Sequence, residues 1–144
     1  MSSSLKEDII SILSEELDTY KVILGKTSQQ IEMIKTMDMD GLQTIFHEKD
    51  KCINKIETIE KNIGIKLRHT SQDFASDRNI LSCLRNIEKT IQDIIEIEET
   101  CCTELSRLQA GISEEILQAD KGIHASKAYS TSKPSPPRFF DIRS

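Results

Sequence analysis

The residues best placed to do chemistry lie late in the chain, in His124-Ala-Ser-Lys127-Ala128. A histidine followed one helical turn later by a lysine is the spacing used for histidine phosphotransfer, where the ammonium steadies a phosphoryl group on the imidazole. Here Ala128 stands where that element needs a glycine. His124 also comes near the end of the last predicted helix, with no helix after it to complete a bundle. A surface histidine is the better reading. Asp38-Met-Asp40-Gly41 contains the D-x-D-G of a calcium loop, but the first ligand position would be Thr36 and the twelfth His47, where a bidentate glutamate is required. A di-iron bundle needs Glu-x-x-His. Thr44, Lys66 and Lys121 precede His47, His69 and His124 at that spacing, so the motif is missing. Cys52, Cys83, Cys101 and Cys102 form no C-x-x-C pair, and adjacent residues of a helix point about 100° apart, so Cys101 and Cys102 do not chelate together. They read as small apolar fillers. Acid pairs such as Glu15-Glu16, Glu98-Glu99 and Glu114-Glu115 recur along the chain, so none stands out as catalytic. There is no glycine-rich phosphate loop and no G-x-S-x-G elbow. These observations imply no enzyme activity, no metal and no cofactor.

The elements that would carry these residues are helices. The chain has 144 residues, enough for one domain. It has 22 Ile and 11 Leu but only six aromatic residues and no Trp, which speaks against a deep pocket that stacks on a ring. Five Gly and three Pro, all the Pro after residue 133, are too few turn residues for a sandwich or an α/β fold.

The first segment, about 5–37, carries Ile10, Leu13, Leu17, Tyr20, Leu24, Thr27, Ile31 and Ile34 at alternating spacings of three and four, a heptad stripe. At ~1.5 Å per residue it spans roughly 50 Å. Met37-Asp-Met-Asp-Gly41 breaks it, with Asp40 the expected N-cap and Gln43 at the capping-box position. The second segment, about 41–67, carries Leu42, Ile45, Lys49, Cys52, Ile56, Ile59 and Ile63. The stem of Lys49 is expected to lie along the seam, with its ammonium reaching water. A polar connection from Arg68 to Asp77 follows, with Phe74 expected to tuck back onto the bundle end. The third segment, about 78–129, carries Ile80, Leu84, Ile87, Ile91, Ile94, Glu98, Cys101, Leu105, Leu108 and Ile112. The stripe then shifts register through Ile116, Ala119 and Ile123, and the helix could break at Gly111 or Gly122.

The expected fold is therefore all-α: an antiparallel three-helix bundle or coiled coil of long helices, with an extended third helix. Residues 1–129 form one helical domain, and 130–144 form a flexible Ser/Pro-rich tail. The first two helices reach only about two-thirds of the third. Its stripe around Ile112 to Ile123 is then left without an intramolecular partner, the mark of an association surface.

Net charge is −5, which argues against a nucleic-acid surface. The charge is uneven: residues 121–144 hold five Lys or Arg against one acid. The N-terminus lacks an apolar signal core and no segment approaches a membrane span, so the expected location is cytoplasmic.

Several stretches together resemble the FlgN family of flagellar export chaperones. They are Leu13-Ser-Glu-Glu-Leu17-Asp-Thr-Tyr20, the junction Met37-Asp-Met-Asp-Gly-Leu42, Glu48-Lys-Asp-Lys-Cys-Ile53-Asn-Lys-Ile56-Glu, Gly122-Ile-His-Ala-Ser-Lys-Ala-Tyr129, and the tail element Arg138-Phe-Phe-Asp141. Heavy Ile usage and four Cys are departures from that pattern. The resemblance implies binding of hook–filament junction proteins before export, through a C-terminal helical segment of the client, and delivery to the export apparatus. It places the partner-binding face on the last helix. The matching positions are Leu105, Leu108, Ile112, Ile116, Ala119, Ile123 and Tyr129. The alternatives are a structural coiled coil that self-associates, as in a homodimer, and a histidine phosphotransfer bundle.

Overall fold

The computed structural model describes residues 2–69, 74 and 76–125. Among them are three α-helices and no strand: α1 (Ser2–Lys35), α2 (Met39–Arg68) and α3 (Arg78–Ala125). The chain divides into two compact units, residues 1–100 and 101–144.

In the first unit, α1 and α2 form an antiparallel hairpin. Asp8 faces Lys66 at 3.9 Å near one end and Lys26 faces Glu48 at 3.1 Å further along. The turn between them is tight. Met37 takes φ 55°, and its amide donates to the Ile34 carbonyl at 3.1 Å while the Asp38 amide donates to the Met33 carbonyl at 2.9 Å. That pair of bonds is a Schellman closure with methionine where glycine is usual. Asp38, not Asp40, is the N-cap of α2, and its Oδ1 accepts from the Gly41 amide at 2.9 Å. The cap moves two residues forward because the closure of α1 delivers Asp38 to the orphan amides first. Gly41 leaves room for that cap. A Cβ at this position would stand 2.6 Å from Asp38 Oδ2 and 2.7 Å from Met33 Sδ.

The start of α3 runs beside α1 in the same direction. Asp77 caps it, accepting from the amides of Asn79 (2.9 Å) and Ile80 (3.1 Å), while its other oxygen meets Lys6 at 2.8 Å. Ile9, Leu13, Ile80 and Ile87 form a buried cluster, joined by Leu17, Tyr20, Ile63, Cys83 and Ile91. Phe74 packs on the same cluster, as its place in the connection led us to expect.

The stripe of α1 differs from the expected one. The buried positions are Ile9, Leu13, Glu16, Thr19, Ile23, Thr27, Gln30 and Ile34, while Ile10, Leu17, Tyr20, Leu24 and Ile31 are half-buried. The helix presents a broad face, and its centre runs through polar side chains that a search for apolar residues passes over. Buried Thr27 is satisfied by donating its hydroxyl to the Ile23 carbonyl at 2.7 Å. On α3, Leu84 is 45% exposed and Cys83 takes the inward place. Lys49 is likewise corrected: its residue is 8% exposed, and its ammonium turns inward.

The ammonium of Lys49 on α2 donates to Gln30 Oε1 on α1 and to Glu98 Oε2 on α3 at 2.8 Å, and Gln30 Nε2 donates to Glu98 Oε1 at 2.9 Å. One polar layer therefore ties all three helices of this unit. Among the described residues no fully buried side-chain polar atom lacks a partner.

Candidate functional site

The second unit consists, as far as it is described, of the remainder of α3. The helix continues unbroken through Gly111 and Gly122, although each glycine costs about 1 kcal/mol relative to alanine. Local pairs offset part of that cost. Arg107 makes a bidentate pair with Glu104, with Nε at 3.1 Å and Nη2 at 2.9 Å, and Gln118 donates to Glu114 at 3.0 Å. The Glu104 carboxylate also holds the Arg107 guanidinium above its ordinary pKa.

Leu105, Leu108, Ile112 and Ile116 follow one another at spacings of three, four and four, which places them on one face of the helix. All four are half-buried, and Ala119 is exposed. Leu117 was not among the expected partner residues. It is 47% exposed and points about 100° away from Ile116, off the row. Its position off the stripe hid it from a periodicity argument. Ile123 lies within α3, but its side chain is not among those described; Tyr129 lies outside the described residues. The same holds for the phosphotransfer fragment: His124 is in α3 without a described side chain, and Lys127 falls outside. The stretch 101–120 holds Glu104, Glu114, Glu115 and Asp120 against Arg107, so an acidic surround accompanies the apolar face.

What such a surface can do is bind. A half-exposed row of Leu and Ile at helical spacing offers apolar area to a second helix. A model of the FlgN protein family matches residues 1–133 of this chain. The chain belongs to the FlgN family, the flagellar export chaperones. No curated protein and no solved structure matches it. The match spans all three helices of this FlgN-family chain, including the face just described. Among the described residues no helix is long and apolar enough to cross a membrane.

Proposed function

We propose that this chain holds hook–filament junction proteins in the cytoplasm before their export and hands them to the export apparatus, acting by binding and not by catalysis. The observation that carries the reading is the row Leu105, Leu108, Ile112 and Ile116, half-buried on one face of a helix of a family of export chaperones. Burying one such side chain fully is worth about 1.5–3 kcal/mol before the cost of association. Three or four together suit a carrier that must hold its client and then release it. The client contributes a C-terminal helical segment whose apolar side seats on this row. The resemblance assigns Ala119, Ile123 and Tyr129 to client binding as well.

The test is calorimetric titration of the full chain with the C-terminal helical segment of a junction protein, beside circular dichroism. Ile116→Asp should abolish binding, because the interface would have to bury an unpaired carboxylate. It should leave helicity and melting temperature close to wild type. Unfolding by Ile116→Asp would show that the row is intramolecular core. Normal binding by a folded variant would place the client elsewhere.

A further inference from the structure

The apolar row on the second part of α3 has an acidic edge. Glu104 and Glu115 are three helical turns apart, so they lie along the same side of the row, about 16 Å from each other. Glu104 pairs with Arg107, whose side chain is 72% exposed, and a carboxylate has acceptor sites for more than one cation. Glu115 is exposed. Residues 101–120 hold four acids, Glu104, Glu114, Glu115 and Asp120, against Arg107 alone, a net charge of −3.

The opposite charge follows in the same chain. Residues 126–144 lie outside the described residues. Their sequence holds Lys127, Lys133, Arg138 and Arg143 against Asp141, a net charge of +3. After Tyr129 the large apolar side chains are Phe139, Phe140 and Ile142, and Arg138 and Arg143 bracket them. Pro136 and Pro137 disfavour helix just ahead of this group. In an extended chain Phe140 and Ile142 share a side and stand about 7 Å apart, close to the one-turn step from Leu108 to Ile112. Arg138 and Arg143 then stand about 16 Å apart, the separation of Glu104 and Glu115.

We propose that the segment Arg138-Phe139-Phe140-Asp141-Ile142-Arg143 is a ligand of its own chain: it docks on the row from Leu105 to Ile116, with its arginines along the acidic edge, and a client must displace it. The tether has the right length. From Ala125, the last described residue of α3, the chain takes fourteen steps to Phe139. Fully extended they reach about 46 Å. A flexible chain of that length averages about 20 Å, and proline stiffens it toward the longer figure. Ala125 stands about 20 Å along the helix from Ile112. A tether whose average reach matches the gap gives an effective concentration in the millimolar range. Docking too weak to hold two separate molecules together is then populated within one chain. The docked segment shields the apolar row until a client with more surface to bury replaces it. Docking stands apart from the client reading of the row; displacement by a client rests on it.

The experiment is methyl NMR of the full chain without a client. Nuclear Overhauser contacts are expected between the rings of Phe139 and Phe140 and the methyls of Leu108, Ile112 and Ile116. The contacts should vanish, and those methyls should shift, in Phe139→Ser/Phe140→Ser and in Arg138→Glu/Arg143→Glu. Both variants change only the tail, so the helices should keep the wild-type circular dichroism. Absence of ring-to-methyl contacts in the wild type overturns the proposal. So do contacts that survive the charge reversal, and contacts that grow with protein concentration, which come from the tail of a second copy. A parallel titration with the C-terminal helical segment of a junction protein separates docking from the client reading. Phe139→Ser/Phe140→Ser should bind that segment about 3- to 10-fold more tightly than wild type, because the tethered competitor is gone. Contacts present with affinity unchanged would support docking and move the client off the row. Contacts absent with normal client binding would overturn docking and leave the client reading in place.

Discussion

In residues 2–100 the inner positions of the helices are closed to water: Ile34 is 1% exposed and Leu42 is 2% exposed. In residues 101–125 the same residue types recur at the same kind of spacing, yet beyond the buried Cys101 the positions Leu105, Leu108, Ile112 and Ile116 are only half-buried. Helical periodicity therefore reports which side chains share a face. It does not report whether anything covers that face. The polar content differs as well. The first region buries Thr27, Gln30 and Lys49 and supplies partners for them. The apolar row of the second carries no buried polar group among the described residues. A sealed, polar-keyed core specifies one arrangement of helices, whereas an open apolar row accepts a partner.

The largest effect that tests this contrast is a matched pair of truncations. Ile34→Ala removes a fully enclosed side chain and should cost about 2–5 kcal/mol. Ile112→Ala removes a half-exposed one and should change global stability by about 0.5 kcal/mol or less. Denaturant unfolding followed by circular dichroism measures both. Equal losses would mean that the row on residues 101–125 is part of the folding core.

A smaller effect separates the polar key from the apolar seam. Lys49→Ala leaves Glu98 without its cation and takes a donor from Gln30, at a cost of about 2–3 kcal/mol. Glu98 tempers the loss because its side chain is 44% exposed and can rehydrate. Replacing Gln30, Lys49 and Glu98 together by Leu, Met and Met should restore stability, as apolar replacements of buried ion pairs often do. If the triple variant is as unstable as Lys49→Ala, the layer is a net source of stability and not a key.

How much of this could be read in the sequence follows from which residues carry the signal. The helices and their junctions were legible, because three long stripes of Ile and Leu with two polar breaks leave little else to build. The stripe of α2 was placed correctly, with Leu42, Ile45, Ile56 and Ile59 all buried. The stripe of α1 was set one residue off at several turns. Glu16 and Gln30 occupy inner positions beside the apolar Leu17 and Ile31, and the eye follows the apolar residue. Lys49 and Glu98 were both visible as polar interruptions on two different stripes. Opposite charges at such interruptions are a signal that they meet. The cap at Asp38 was hidden, because it depends on the left-handed turn at Met37, which sequence does not announce when the residue is not glycine. The row from Leu105 to Ile116 was legible as a face.

The smallest effect concerns the glycines, and it turns on the same contrast. Gly41 sits in the first turn of α2, and an added methyl would push aside the capping carboxylate of Asp38 and the side chain of Met33. Gly41→Ala should therefore destabilise the chain. Gly111 sits in α3 beside the row, with nothing within 4 Å of the place a Cβ would occupy. Gly111→Ala should raise the helicity of residues 101–125, contributing about 0.5–1 kcal/mol to local helix stability. Hydrogen exchange of the amides around Gly111 measures that gain directly, apart from global unfolding. The consequence for binding sharpens the comparison. If a client seats on a preformed helix, stiffening it removes part of the ordering cost, and affinity should stay level or improve. A loss of affinity in Gly111→Ala, with more helix present, would mean that α3 must bend or unwind at this point to take its client. Residues 101–125 would then differ from 2–100 in compliance as well as in exposure.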